Sequence, residues 1–313
     1  MGNNHFISVV IPVYNEQESI EILYSELYIV LEKYQTWEII FIDDGSTDQS
    51  FSIIQKIAKK DNHVTIIRLN KNYGKADALS IGFKQSKGDI IITMDADLQD
   101  DPVEINRLTE KILEGWDLVS GWKKNRKDPL SKRIPSKLFN YVTRIITGIK
   151  IHDFNCGLKA YKKRVINDMD IYGGLHRYIP AIAGKNGFLI TEMEVHHRSR
   201  KFGQSKYGNR RFMHGFFDLF TMLFISKYLN RPLHFFGLIG LLLFMMGIMV
   251  CVYLTLGWFQ GIWIGNRPIF ILGVLLLIVG IQFFSLGLLG DLFIKNTARS
   301  NKKIHSVYTS HQD

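Results

Sequence analysis

The sequence predicts an α/β domain on a mostly parallel sheet, followed by a two-helix transmembrane hairpin. Short apolar runs rich in β-branched residues alternate with amphipathic stretches through the first two thirds of the chain, which is the pattern of βαβ units with right-handed crossovers. The turns after these runs are acidic, and none carries G-x-G-x-x-G or G-x-x-x-x-G-K-[ST], which argues against a dinucleotide dehydrogenase or a P-loop phosphotransferase. Residues 235–256 and 269–290 are two stretches of 22 residues each without a charge. At about 1.5 Å per residue, each is long enough to span about 30 Å of hydrocarbon.

Taken in order, residues 6–14 form a first strand, and Asn15-Glu16 opens a helix to about Tyr34 with Ile20, Leu23, Leu27, Val30 and Leu31 on one face. Residues 38–42 are the second strand, running into Asp43-Asp44-Gly45-Ser46-Thr47-Asp48 and a helix that carries Phe51, Ile54, Ile57 and Ala58. Residues 65–69 are the third strand, and Asn72-Tyr73-Gly74-Lys75 opens a helix to Lys87. A fourth strand at 89–94 precedes a helix over 102–115 and a fifth strand at 117–121. Residues 153–159 read as an irregular link with a tight turn at Gly157, and 188–195 as a further strand.

The fourth strand ends in Met94-Asp95-Ala96-Asp97-Leu98-Gln99-Asp100-Asp101, with four carboxylates and an amide at the carboxyl edge where open α/β sheets bind ligands. Asp95 and Asp97 offer hard oxygen donors suited to a Mg²⁺ or Mn²⁺ that also holds substrate phosphates. Asp100 or Asp101 is expected to cap the helix opening at Pro102. Asp43 is placed to accept hydrogen bonds from a nucleobase or ribose, while Asp44, Ser46 and Asp48 serve equally well as helix caps.

The net charge is +10 and the pI about 9.4. That balance fits nucleic acid, anionic lipid or phosphorylated substrates, and the placement of the cations decides among them. Residues 122–150 interleave Lys123, Lys124, Arg126, Lys127, Lys132, Arg133 and Lys137 with apolar residues, which describes a basic amphipathic helix lying either on an anionic membrane or with its charges simply solvated. Residues 198–207 form a loop dense in cations with a glycine at 203, able to fold over a diphosphate, and 212–229 read as an interfacial helix. Because the cations border apolar membrane segments, nucleic acid is not an expected partner.

Lys227 and Arg231 precede the hairpin, Lys295, Arg299, Lys302 and Lys303 follow it, and only Arg267 lies in its turn. The positive-inside rule then places the catalytic domain and both termini in the cytoplasm. Gly240 and Gly247, with Gly273, Gly280 and Gly287, repeat every seven residues and form a close-packing seam, either within the hairpin or between protomers. Cys156 and Cys251 lie far apart with no metal-ligand spacing, which excludes a disulfide scaffold or zinc site. The N-terminus lacks the pattern of a signal peptide, because Pro12 and Asn15 interrupt the apolar run.

Together these pieces resemble glycosyltransferase family 2, and more narrowly its polyprenyl-phosphate branch of dolichol-phosphate mannose synthases and bactoprenol glucosyltransferases. The resemblance spans essentially the whole chain. It is carried by V-V-I-P-V-Y-N-E at 9–16, D-D-G-S-T-D at 43–48, N-Y-G-K at 72–75, D-A-D-L-Q-D at 95–100, D-F-N-C-G-L-K at 153–159, R-x-x-G-x-S-K at 200–206, and the two spans.

It implies a GT-A catalytic domain, Rossmann-like, over residues 1–210. An amphipathic interfacial helix at 211–231, two transmembrane helices within 232–295 and a cytoplasmic tail at 296–313 follow. Pro12, Tyr14, Glu16 and Asp43 would line the nucleotide pocket, and Asp95 would approach the donor's nucleotide part. Asp97 with Gln99 would hold the divalent metal, while Arg200 and Lys206 would close over the leaving phosphates. Arg133 and Ser136 would grip the phosphate of a prenyl-phosphate acceptor. The family commonly places an arginine soon after the fifth strand, where this chain has Lys123, a point charge with a weaker claim on that phosphate.

The implied reaction is an inverting transfer from a UDP- or GDP-linked sugar to a polyprenyl phosphate at a bacterial inner membrane, with a homo-oligomer through the spans compatible with the glycines. A phosphate acceptor is already largely ionised at neutral pH and needs no protein base. Two alternatives are a membrane transferase acting on a hydroxyl, for glycolipid or polysaccharide synthesis, and a non-catalytic nucleotide-sugar-binding scaffold. The first would be expected to show an acceptor-side base, and the intact acidic and basic motifs weigh against the second.

Overall fold

The computed structural model describes residues 5–124, 130–167, 175–199, 202, 232–265 and 267–298. The chain divides into two compact units, Met1–Met222 and Leu223–Asp313.

In the first unit, β1 (Ile7–Val13), β2 (Trp37–Asp43), β3 (Val64–Arg68), β4 (Ile90–Thr93), β5 (Leu118–Trp122), β6 (Lys159–Lys162) and β7 (Ile190–Glu194) form one sheet. Its order is β3-β2-β1-β4-β6-β5-β7, and among these pairings only the two made by β6 are antiparallel. The strands β1, β2 and β4 are buried almost throughout, as their mostly apolar runs require, whereas the edge strands β3 and β7 are mostly part-exposed. The crossovers carry α1 (Ile20–Leu31), α2 (Ser50–Ala58), α3 (Lys75–Gln85) and α4 (Glu104–Leu113). Ile7, Val9 and Ile11 of β1 join Leu23, Leu27, Ile105 and Leu108 in the core, each fully buried, and each such side chain contributes about 1.5–3 kcal/mol. On the other face α3 comes close to the sheet through Gly82, where a Cβ would fall 2.8 Å from Ile42 Cδ1.

Two readings of the sequence need correction. The first helix starts at Ile20, not at Asn15. Asn15 is left-handed at φ 52°. Its N–H donates to Ser46 Oγ at 3.0 Å and that of Glu16 to Ser50 Oγ at 2.9 Å, so these residues are stitched to the loop after β2 instead of starting a helical ladder. Secondly, the link at 153–159 ends in a strand. Residues Lys159–Lys162 are pulled into extended form by the open edges of β4 and β5 on either side, and neither length nor periodicity announces them.

Beyond β5 lies α5 (Leu130–Thr147), whose described side chains put polar residues inward. Ser136, Asn140 and Thr143 are buried, while Tyr141 and Ile145 are 61% and 64% exposed. The inward stripe is tied to the following link, since Phe154 N–H donates to Asn140 Oδ1 and Arg144 Nε donates to the Ile151 carbonyl. After β6 come α6 (Lys163–Asn167), a 3₁₀ turn at Leu175–Tyr178 and α7 (Ile179–Lys185).

The second unit is a hairpin of α8 (Pro232–Phe259) and α9 (Pro268–Ala298), two helices long and apolar enough to cross a membrane. Its glycines settle the seam question. A Cβ on Gly240 would fall 2.6 Å from the Gly280 carbonyl, one on Gly280 2.7 Å from Phe244 N, and one on Gly247 2.9 Å from Leu277 N. The seam is therefore the backbone-to-backbone contact inside the hairpin. Asp291 Oδ1 accepts from Leu233 N–H at 3.4 Å and closes the α8 N-terminus. The expected interfacial helix at 212–229 lies outside the described residues.

Candidate active site

The parallel strands β1, β2, β4 and β5 deliver their carboxyl ends to one edge of the sheet, and β6 brings its first residue there because it runs the other way, with Lys159 opposite Thr93. Tyr14, Asp43, Asp95, Lys123 and Lys159 are thereby gathered from stretches far apart in sequence.

The loops after β2 and β3 are locked together. Asp44 is buried and accepts from Tyr73 N–H at 2.8 Å and Gly74 N–H at 2.9 Å. Burial raises its pKa, these bonds oppose the rise, and the charges of Asp77 and Asp43 add to it. Gly45 sits at φ +70° with its α-carbon face against the backbone of Lys71 and Asn72, a place and conformation closed to larger residues. Asp48 Oδ1 accepts from Ser50 N–H at 2.9 Å at the entry of α2. Asp43 is fully buried. Its Oδ1 accepts from Ser46 N–H at 3.1 Å, while Oδ2 makes no hydrogen bond and has Arg68 Nε at 3.4 Å as its ion-pair partner. Arg68 lies over the Phe51 ring at 4.2 Å and lines a cleft of about 410 Å³ with Asn70, Tyr73 and Asp77.

At the end of β4, burial alternates. Asp95, Asp97 and Gln99 are part-exposed, while Met94, Ala96, Leu98 and Asp100 are buried. Leu98 is left-handed at φ 61°, a conformation that costs a branched side chain about 1–2 kcal/mol. Gln99 N–H donates to Asp97 Oδ1 at 3.2 Å across this turn. Asp101 takes the helix-entry role through Val103 N–H at 3.1 Å.

Lys123 corrects an expectation. It does not point outward to an acceptor phosphate but sits 2.7 Å from Asp100 Oδ1, with side-chain exposures of 10% and 0%. Burial would lower the Lys123 pKa, yet Asp100, Cys156 and Asp95 raise it well above the usual lysine value.

Around Asp95 three cations converge. Lys75, the first residue of α3, makes a direct ion pair with it. Burial acts to raise the Asp95 pKa, but Lys75, Lys123 and Lys159 outweigh it and hold the carboxyl at about 2. Lys159 donates to the carbonyls of Phe154 and Cys156, so it staples the link against the site, and Thr93 Oγ1 donates to the Gly157 carbonyl at 2.8 Å. Nearby His176 has a buried Nδ1 without a hydrogen-bond partner; burial, then Lys75, Arg177 and Lys159, lower its pKa well below 6.5, which keeps it neutral. Sequence reasoning gave no role to Lys75, Lys159 or His176. The first two are the last residues of N-Y-G-K and D-F-N-C-G-L-K, and that was the available signal.

Gly157 lies flat against the Asp95 carboxylate, where a Cβ would collide with it. Gly157→Ala is expected to lower transfer about ten- to a hundredfold by displacing that carboxylate, with little change in thermal midpoint. Initial rates set beside melting curves check this, and an unchanged rate would free Asp95 from any positional demand.

Of the other expected residues, Pro12, Tyr14 and Glu16 stand part-exposed at the β1 end. Ser136 is on the inward face of α5. The side chain of Arg133 and all of Arg200 and Lys206 lie outside the described residues. Among the described residues, no three His, Cys, Asp or Glu side chains form a metal cage. Asp97 with the Gln99 amide nonetheless suits an ion that takes one or two protein oxygens and completes its shell from phosphates and water.

The sequence profile of glycosyl transferase family 2 matches residues 8–170. The chain belongs to glycosyl transferase family 2. The transferase is 36% identical over 302 residues to a dodecaprenyl-phosphate galacturonate synthase of Rhizobium johnstonii, covering 94% of this chain and 89% of that protein. It is equally 36% identical over 291 residues to an undecaprenyl-phosphate 4-deoxy-4-formamido-L-arabinose transferase of Pseudomonas aeruginosa, covering 91% and 84%. Among solved structures, glucosyl-3-phosphoglycerate synthase of Mycobacterium tuberculosis with phosphoglyceric acid superposes with a TM-score of 0.55 at 19% identity, over 71% of this chain and 80% of that one. The same enzyme with Mn²⁺, UDP-glucose and phosphoglyceric acid gives 0.50 at 20% identity, over 64% and 73%. The fold of the first unit is thus GT-A-like.

Proposed function

We propose that the transferase moves a sugar, with inversion, from a nucleotide-diphosphate sugar to a polyprenyl phosphate on the cytoplasmic leaflet of a bacterial inner membrane. The observation that carries this reading is the 36% identity to two polyprenyl-phosphate sugar transferases, which runs over more than nine tenths of the chain.

Asp43, at the end of β2, is assigned to the nucleobase or ribose of a UDP- or GDP-linked donor. Pro12, Tyr14, Glu16 and Asp95 complete the donor contacts. Asp97, with Gln99, would hold Mg²⁺ or Mn²⁺, which when bound neutralises charge building on the departing diphosphate. Arg200 and Lys206 add cationic stabilisation to the same leaving group. Arg133 and Ser136 of α5 receive the acceptor phosphate, whose ionised oxygen attacks without a protein base.

The described side chains of α5 support the direction of approach. A helix that buries Ser136, Asn140 and Thr143 and exposes Tyr141 and Ile145 fits an outer surface in lipid, and exposed Lys137 fits an anionic headgroup region. Oligomers, if they form through α8 and α9, use faces other than the glycine seam.

The test is to incubate purified transferase with UDP- and GDP-sugar panels, polyprenyl phosphate and Mn²⁺ or Mg²⁺, then weigh the lipid. A product heavier by one sugar residue, formed from a UDP or GDP donor and absent with the unphosphorylated prenyl alcohol, is expected. Transfer to the alcohol instead would overturn the acceptor.

A further inference from the structure

The left-handed Leu98 must be held by its surroundings, since a short turn with a bulky residue in that conformation relaxes unless its neighbours prevent it. The segment that leaves β7 supplies the restraint. Arg198 N–H donates to the Gln99 carbonyl at 2.9 Å, and His197 pairs with Asp100 as an antiparallel bridge. His196 N–H donates to Glu104 Oε1 at 3.0 Å, just inside α4.

The Arg198 side chain then forks. Nη1 donates to Glu26 Oε2 on α1 at 2.6 Å, and Nη2 lies 2.9 Å from Asp101 Oδ1. The three side chains are only 25%, 30% and 17% exposed, so this is a part-buried clamp and not a surface pair. Burial opposes the charge on Arg198, yet Glu26 and Asp101 outweigh it and raise its pKa.

We propose that Arg198 is a positioning residue that pins the 97–101 turn to α1 and so fixes the direction in which Asp97 presents its carboxylate. The proposal rests on the reading of Asp97 as the metal-diphosphate residue. Lysine cannot replace the arginine, because a point charge does not reach two carboxylates on divergent lines as a planar fork does. Arg198 lies outside R-x-x-G-x-S-K, so its role is separate from that of the cations assigned to the leaving phosphates.

The test uses the full-length protein in detergent, with UDP titrated calorimetrically in the presence and absence of Mn²⁺. Arg198→Met is expected to weaken Mn²⁺-dependent UDP binding about tenfold while leaving the metal-free affinity unchanged, and Arg198→Lys to recover only part of the loss. Amide exchange across residues 97–101 should accelerate in Arg198→Met while that of β1 and β2 does not. Glu26→Gln, a milder break at the far end of the clamp, should show the same pattern at smaller size even if Arg198→Met misfolds. Unchanged Mn²⁺-dependent affinity and exchange in either folded variant would overturn the proposal. Asp97→Ala separates the two ideas: if it abolishes the Mn²⁺ dependence while Arg198→Met does not, only the positioning role falls, and if neither does, the metal reading of Asp97 falls with it.

Discussion

Replacing Asp97 with alanine is expected to lower sugar transfer at least a hundredfold while the protein stays folded and membrane-bound. The side chain is part-exposed and accepts a local hydrogen bond from Gln99 N–H at 3.2 Å. Losing such a bond costs folding about 1 kcal/mol. The chemical loss is larger, because charge stabilisation at a departing diphosphate is worth several kcal/mol and each 1.4 kcal/mol or so is tenfold in rate. Asp95, in contrast, is already balanced by Lys75, Lys123 and Lys159, so its carboxylate is spoken for by the protein. Lipid-linked product measured with saturating donor and acceptor, set against the thermal midpoint, checks the prediction. Turnover near the unsubstituted rate in a folded variant would remove Asp97 from the metal site.

The central strands and the acidic edge were legible because β1, β2 and β4 are short, mostly apolar runs rich in β-branched residues, the last two leading into Asp43 and Asp95, and burial on both faces leaves little else for such runs to be. The hairpin was legible for the same reason of length and composition, and the spacing of Gly240, Gly247, Gly273 and Gly280 located its seam without saying which surfaces it joined. What sequence did not show depends on long-range contact. β6 is four residues with a lysine at each end, extended only because β4 and β5 each have an edge to fill. Asn15 and Leu98 are left-handed where side chains and backbone from other loops hold them so; asparagine adopts that conformation readily, but a leucine does not call for it. Lys123 looked like a free cation in a basic run. Its true partner, Asp100, is 23 positions earlier and one of two aspartates equally placed by sequence to cap the next helix, of which Asp101 stands at the helix entry. Two adjacent aspartates with different partners cannot be told apart by residue type, since one meets Arg198 at a helix entry and the other Lys123 on the inside of the sheet edge.

That pair gives the largest expected effect on stability. Lys123→Met should destabilise the first unit by about 3–5 kcal/mol, because it leaves the fully buried Asp100 carboxylate without its cation. For a domain of this size, that is a fall in thermal midpoint of roughly 10 °C. The Lys123 pKa is raised in the folded protein, so the pair's contribution is fully present below the ordinary lysine value of about 10.4 and is lost only as pH climbs beyond it. The gap between the two proteins should therefore be constant from about pH 6 to 9 as far as this lysine is concerned. Adding Asp100→Asn to Lys123→Met should recover a good part of the loss, since a neutral amide is cheaper to bury than an unpaired carboxylate, and non-additivity of this kind marks a direct pair. The same variants separate an inward role from an outward one. A lysine gripping the acceptor phosphate would, when removed, raise the prenyl-phosphate KM and leave the melting curve alone, and Asp100→Asn would not help. A lowered midpoint that Asp100→Asn partly restores, at an unchanged KM for the prenyl phosphate, is the outcome required by a lysine turned inward onto Asp100.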